Sequence, residues 1–89
     1  MSERDTRLKR LAIRSWRRGT KEMDLILGPF FDACGPDMDD SALELYEALL
    51  SENDQDLYQW FSGQDTEPEA HRAILQTIRA HHHSRIAKV

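Results

Sequence analysis

A cluster of charged side chains surrounds Gly19, and its residue types suit the recognition of another molecule. Its members, in chain order, are Arg14, Arg17, Arg18, Glu22 and Asp24. A guanidinium presents a planar fork of N–H donors that matches a carboxylate or a pair of carbonyl oxygens. A carboxylate can orient such a fork or accept hydrogen bonds from a partner. Because glycine has no Cβ, it lets two backbones approach closely. The chemistry available here is ionic docking.

Other residue patterns favour neither catalysis nor metal binding. The run His81–His83 places its imidazoles about 100 degrees apart on a helix, so they cannot all face one ion. Cys34 is the only cysteine, which excludes an intrachain disulfide. Asp37, Asp39 and Asp40 suit turn and cap positions better than general acid–base roles. The chain has no nucleophile elbow, phosphate loop or dinucleotide fingerprint, so we expect a protein that is not an enzyme.

Size and charge distribution limit the function further. The 89 residues predict one helical domain over 1–89, with an ordered core over about 5–80 and a frayed C-terminal tail. Such a chain buries about 60 percent of its unfolded surface, which leaves little room for a large substrate pocket. The net charge of −4 combines +6 over residues 1–21 with −10 over residues 22–89. The two parts should attract each other.

Two helices must position the charged cluster. Basic residues recur every three or four positions and predict one stripe on the first helix: Arg7, Arg10, Arg14, Arg17 and Lys21. That helix should end near Arg18, because Gly19 tolerates a left-handed C-terminal conformation. Gly19 or Thr20 should cap the second helix, and with Gly19 as the cap Glu22 would complete half of a capping box. Its core face is Met23, Ile26, Leu27, Phe30 and Phe31. Pro29 predicts a kink or an early end.

Three further helices follow from helical periodicity and cap residues. Asp39 or Asp40 caps a third, whose inward face is Ala42, Leu45, Tyr46, Leu49 and Leu50. Asn53 or Asp54 caps a fourth, which Gly63 ends and whose apolar residues are Leu57, Trp60 and Phe61. A capping box at Thr66–Glu69 with Pro68 in the first turn begins a fifth, with Ile74, Leu75 and Ile78 inward. No segment alternates with period two. The predicted fold is an all-α, compact five-helix bundle.

The signature Arg18-Gly19-x-x-Glu22 resembles that of the succinate dehydrogenase assembly factor 2, or flavinator, family. The likeness includes Asp24 and Pro29-Phe30-Phe31 and continues through Leu49-Leu50, Asp54-x-Asp56-Leu57 and Trp60. It covers nearly the whole chain from Arg7 to about Ile78. The five-residue string alone carries little weight, and the resemblance becomes specific through the basic helix before it, the length of the chain and the second block that ends in Trp60.

The resemblance implies an assembly factor that binds the flavoprotein subunit of succinate dehydrogenase, or of fumarate reductase, and promotes covalent attachment of FAD to a histidine of that subunit. The chain itself would bind no cofactor stably. The partner-binding residues it implies are Arg18, Gly19 and Glu22, with Arg14, Arg17 and Asp24 beside them. We expect the free chain to be a monomer. We also expect it in the bacterial cytoplasm, because no apolar run is long enough to cross a membrane and no secretory signal is present.

A small nucleic-acid-binding module is the alternative from another functional class. The charge of +6 over residues 1–21 could contact several phosphates, although the acidic remainder opposes this. A bare helical scaffold or antitoxin-like partner domain is a third possibility. Trp16 is equally compatible with packing under the helix junction and with a partly exposed interface anchor. Trp60 and Phe61 fit the core better than an interface.

Overall fold

A computed structural model describes residues 2–87 of the chain. Within that range the fold consists of five α-helices and contains no β-strand, which confirms the predicted all-α class. A short 3₁₀ turn at Gly35–Asp37 follows the second helix. The helices are α1 (Glu3–Trp16), α2 (Lys21–Cys34), α3 (Asp40–Leu50), α4 (Asp54–Ser62) and α5 (Glu69–Ala87). The last helix therefore continues past residue 80, the predicted end of the ordered core, since no glycine or proline interrupts it.

Helix α2 lies at the centre of the bundle and packs against α1, α4 and α5. The core face predicted for it from the sequence is confirmed, because all five of its residues are buried. Phe31 stacks on Tyr46 of α3 with 5.0 Å between ring centroids, and Phe30 packs on the same ring. Burial of Leu57, Trp60, Ile74, Leu75 and Ile78 closes the core from α4 and α5. The apolar stripes of the helices thus form one continuous core.

The junction between α1 and α2 differs from the sequence prediction. Helix α1 ends at Trp16, with Arg17 as its C-cap, two residues before the predicted end. Gly19 is not left-handed, since Gly63 alone has a positive φ among residues 2–87. Thr20, one of the two predicted N-caps, caps α2 by accepting from the Met23 amide, so the half capping box that depended on Gly19 as the cap does not form. The two helices are therefore joined by a short connection, residues 17–20, and not by the left-handed glycine that was expected.

Helix α2 passes through Pro29 without the predicted early end. Proline lacks the N–H that would bond the carbonyl of Leu25 four residues earlier. A side chain from α5 supplies a replacement, because Arg85 Nη1 donates to the Leu25 oxygen at 3.3 Å. The long fifth helix therefore helps α2 tolerate its proline.

The predictions for α3 and α5 need two corrections. Leu45 is exposed and Leu43 is buried in its place, although Tyr46, Leu49 and Leu50 lie inward as expected. Helix α5 begins at Glu69, so Pro68 precedes the helix and the capping box predicted at Thr66–Glu69 does not form. Glu67 is instead bound by Arg79, whose guanidinium also donates to the carbonyls of Trp60 and Phe61 at the end of α4.

Candidate docking site

The guanidinium of Arg18 points into the bundle and binds three acceptors there. Its Nε donates to Asp54 Oδ1 at 2.6 Å, and its Nη1 and Nη2 donate to the carbonyls of Leu50 and Glu52 at 2.5 and 2.6 Å. Only 12% of the Arg18 side chain and 16% of the Asp54 side chain are exposed. All three guanidinium nitrogens are therefore used within the chain, unlike the partner-facing fork expected from the sequence.

Arg18 lies at a favourable position between two helix ends. Leu50 is the last residue of α3, whose C-terminal carbonyls have no partner within the helix. Asp54 is the first residue of α4, where a carboxylate meets the positive end of the helix dipole. A guanidinium at the first end and a carboxylate at the second complement both dipoles and each other. This arrangement joins α3, α4 and the segment before α2.

The two oxygens of Asp54 hold two successive residues of that segment. Oδ1 accepts from the Arg18 side chain, while Oδ2 accepts from the backbone N–H of Gly19. The Arg18 backbone N–H donates in turn to Asp24 Oδ1 at 2.6 Å. A Cβ on Gly19 would lie 2.8 Å from Asp54 Oδ2, which is closer than atoms can approach without movement. A side chain at position 19 would therefore displace the Asp54 carboxylate, whereas the φ of Gly19 is one that other residues adopt.

Glu22 does not join these contacts and instead faces a groove between α2 and α4. One part of the groove has a volume of about 520 Å³. Its lining consists of Thr20, Glu22, Asp54, Gln55, Tyr58, Gln59 and Gln64. A second part, about 310 Å³, also includes Glu22 and Tyr58 and adds Leu25, Ile26, Phe61, Ser62 and His82. We call the two together the α2–α4 groove. Neither part is lined by a lysine or arginine among the described residues.

The α2–α4 groove combines a carboxylate with exposed apolar surface. Tyr58 and Leu25 are 41% and 49% exposed and both line the groove, so they present adjoining apolar surface beside Glu22. Among residues 2–87, no side chain forms a hydrogen bond or ion pair with the Glu22 carboxylate. Burial lowers the pKa of His82, on the groove wall, with smaller contributions from the charges of Arg85, His83 and His81. A neutral His82 adds no competing cation beside Glu22.

The remaining basic residues of the cluster lie away from the groove lining. Arg17 is exposed and Arg14 is half-buried on α1, and within the described range neither forms an ion pair. Arg7 of the predicted stripe is bound to Glu47 at 2.7 Å, and Lys21 belongs to α2. The continuous basic stripe expected from the sequence is therefore broken.

The structure groups the six predicted site residues into three sets. Arg18, Gly19 and Asp24 meet at the junction between α1 and α2, and Glu22 faces the groove. Arg14 lies in the last turn of α1, and Arg17 is the C-cap of that helix. Asp54, Tyr58 and the groove glutamines were not predicted as site residues. The only sequence signal for Asp54 was its place in the second block of the family resemblance, because 36 residues separate it from Arg18.

The part of the chain that the structure describes contains neither a metal-binding cluster of side chains nor a helix that could span a membrane. Residues 2–87 contain no group of three His, Cys, Asp or Glu side chains arranged to hold a metal ion. None of the helices in this range has the length and apolar character needed to span a bilayer. His81 and His82 instead pack edge-on against Phe30 and Phe61. Two of the three histidines in the run therefore pack against aromatic side chains.

Comparison with known proteins identifies the family. A family model described as "flavinator of succinate dehydrogenase" matches residues 9–82. The FAD assembly factor SdhE of Photobacterium profundum is 38% identical over 71 residues, covering 79% of this chain and 81% of that protein. SdhE of Pseudomonas putida is 39% identical over 71 residues, covering 78% and 83%. No solved structure gives a significant match.

A mitochondrial relative extends the comparison beyond bacteria. Succinate dehydrogenase assembly factor 2 of Drosophila grimshawi is 32% identical over 78 residues, covering 84% of this chain and 53% of that protein. The match to the family model spans all five helices at least in part. The chain therefore belongs to the flavinators of succinate dehydrogenase, a family of FAD assembly factors.

Proposed function

We propose that this chain binds the flavoprotein subunit of succinate dehydrogenase through the α2–α4 groove and so promotes covalent attachment of FAD to that subunit. Membership of the flavinator family supports the activity and the partner. The observation that supports the surface is Glu22, a signature carboxylate that has no partner within residues 2–87 and lies between exposed apolar side chains. A charged group surrounded by apolar contact area is typical of a surface that binds another protein.

The flavin chemistry belongs to the partner in this proposal. A histidine of the flavoprotein subunit would bond to the flavin, and the chain would stabilise the arrangement in which this reaction proceeds. The chain would bind no FAD stably by itself. A factor that binds the competent arrangement more tightly than other arrangements shifts the partner toward it without contributing a reactive group.

We assign different roles to the residues of the cluster. Glu22 would accept hydrogen bonds from a basic side chain of the partner, and Arg14 and Arg17 would donate to partner carboxylates from the α1 side. Arg18, Gly19 and Asp24 would hold the junction that presents Glu22, because their polar groups are already paired within the chain.

We also propose that the basic residues serve protein docking and that the free chain is a monomer in the bacterial cytoplasm. Loss of Arg7 and Lys21 from the basic stripe leaves fewer side chains to contact successive phosphates, which argues against nucleic acid. A gel-shift assay at low salt should therefore show no binding of duplex or single-stranded nucleic acid.

Fumarate reductase is a second partner in this proposal, because its flavoprotein subunit is homologous and would bind the same surface.

The test is flavinylation in a strain that lacks the gene. Complementation with the unaltered chain should restore covalent flavin on the flavoprotein subunit, seen as in-gel fluorescence, whereas Glu22→Gln should restore much less. Glu44→Gln is the matched control, since Glu44 is an exposed glutamate on α3 outside the groove. Full flavinylation with Glu22→Gln, at equal protein level, would exclude the α2–α4 groove as the docking surface.

A further inference from the structure

We infer that Asp54 is a positioning residue for docking and belongs functionally with Arg18-Gly19-x-x-Glu22, although it lies 35 residues beyond Gly19. The inference rests on the proposed function, because it explains how the signature presents Glu22 to the flavoprotein subunit. Asp54 would not bind the partner itself. Its carboxylate lines the groove, but each oxygen already accepts a hydrogen bond from Arg18 or Gly19, and only 16% of the side chain is exposed.

The path from Asp54 to Glu22 is short and well defined. Asp54 fixes the backbone of Gly19, Gly19 is followed by the N-cap Thr20, and Glu22 lies in the first turn of the helix that Thr20 begins. The place and direction of that first turn therefore depend on where Gly19 is held. Asp54 belongs to α4, the opposite wall of the groove, so one carboxylate also links the start of α2 to that wall.

Loss of the Asp54 carboxylate would release this connection at both oxygens. The largely buried guanidinium of Arg18 would lose its anion, and the Gly19 N–H would lose its acceptor. Neither group has another acceptor there among the described residues, except the two carbonyls that Arg18 Nη1 and Nη2 already bind. We expect the segment Arg17–Thr20 to move and Glu22 to lose its fixed place on the groove wall.

Asp56 offers a matched control on the same helix turn. It is also an acidic residue in the first turn of α4, so it makes the same kind of favourable contact with the helix dipole. Its carboxylate accepts from the Asn53 side chain and contacts neither Arg18 nor Gly19. A comparison of Asp54→Ser with Asp56→Ser therefore separates positioning of the junction from general stabilisation of α4.

The experiment measures affinity for the isolated flavoprotein subunit by isothermal titration calorimetry, at a temperature where circular dichroism shows each variant folded. Asp54→Ser should raise Kd roughly tenfold, and Asp56→Ser should leave Kd nearly unchanged. Because Asp54 acts through Glu22, adding Glu22→Gln to Asp54→Ser should weaken binding far less than Glu22→Gln does alone. An unchanged Kd for folded Asp54→Ser, or equal effects of Glu22→Gln in both backgrounds, would overturn the inference.

A second variant covers the case in which Asp54→Ser does not fold. Gly19→Ala places a Cβ 2.8 Å from Asp54 Oδ2 and displaces the carboxylate while Arg18 and Asp54 remain present. It should raise Kd by a similar factor, and normal affinity of folded Gly19→Ala would contradict the inference. The proposed function fails separately: if Glu22→Gln binds normally in the unaltered chain, the groove is not the docking surface at all.

Discussion

The indole of Trp16 lies directly on the backbone of Gly28, where α1 crosses α2. A Cβ built on Gly28 would overlap the ring atoms Cδ2 and Cε2. The indole nitrogen reaches past this contact and donates to Asp32 Oδ2 at 3.0 Å. Trp16 is nevertheless 40% exposed. The two roles considered for this residue from the sequence are therefore compatible, because one face packs at the helix crossing while part of the ring remains accessible.

Gly28→Ala should destabilise the chain in spite of the better helix propensity of alanine. Overpacking of a close contact costs about 1–3 kcal/mol, whereas alanine gains roughly 1 kcal/mol over glycine in a helix. Because the added Cβ would overlap the ring, we expect the cost to lie at the upper end and the free energy of unfolding to fall by up to about 2 kcal/mol in urea titration. In a Trp16→Ala background the same change should be neutral or stabilising, because the ring that it meets is gone. Destabilisation of equal size in both backgrounds would exclude this contact as the cause.

Pro29 and Arg85 should show coupled effects on stability. Pro29→Ala restores an N–H for the Leu25 carbonyl and should raise the free energy of unfolding, by less than the roughly 3 kcal/mol typical of a helix interior because Arg85 already satisfies that carbonyl. Arg85→Ala should cost about 0.5 kcal/mol in the unaltered chain, since its hydrogen bond is exposed. With Pro29→Ala present that cost should fall toward zero. A double-mutant cycle in urea measures the difference, and strictly additive effects would mean that Arg85 does not compensate for the proline.

His82 should make the chain less stable as the pH falls. Burial is the main cause of the lowered pKa of this imidazole, whose ordinary value is 6.5. Above that value both folded and unfolded chains hold a neutral His82, so there is no effect. Below it the unfolded chain takes up the proton first, and stability declines until the folded pKa is passed. Urea titrations from about pH 7.5 to about 5.5 should therefore show a smaller decline for His82→Gln.

Exposed His83 provides the control for this pH effect. His83→Gln should retain most of the decline, because the loss of stability comes chiefly from the burial of His82. Titration of the imidazole by NMR gives an independent measurement and should place the His82 midpoint below 6.5. A midpoint at or above that value would contradict the prediction.

The sequence sufficed for the helices and for most of the core because these follow local rules. The face of α2 repeats every three or four residues, and Thr20, Asp39 and Asn53 cap helices as their residue types predict. The inward face of α3 was partly wrong, since two overlapping faces of one short helix both contain leucines and only packing selects Leu43 over Leu45. Local pattern alone does not distinguish them.

The inward direction of Arg18 could not be read from the sequence. An arginine among other arginines has the pattern of an exposed basic stripe, and its acceptors Leu50, Glu52 and Asp54 lie more than thirty residues away. Two of these acceptors are backbone carbonyls, which every residue has, so the residue types at positions 50 and 52 do not indicate them. For Gly19 the sequence predicted a left-handed conformation and a close approach to a partner, but it did not reveal that the group lying close is the Asp54 carboxylate of a distant helix.

Arg18→Lys should be far more harmful than Arg17→Lys, although both changes keep the charge. A lysine at position 18 has one nitrogen in place of the three that bind Asp54, Leu50 and Glu52, so at least one largely buried acceptor would lose its donor. We expect a loss of about 2 kcal/mol in the free energy of unfolding.

The exposed side chain of Arg17 is the control, and Arg17→Lys should change stability by less than about 0.5 kcal/mol. Measurements of partner affinity then separate the two roles. Arg17→Lys should weaken docking without changing stability, because lysine replaces a forked donor with a point charge. Arg18→Lys should weaken both, because the junction that holds Gly19 and presents Glu22 rests on the Arg18–Asp54 pair. Equal stability of the two variants would show that the guanidinium of Arg18 does not join α3 and α4 in solution.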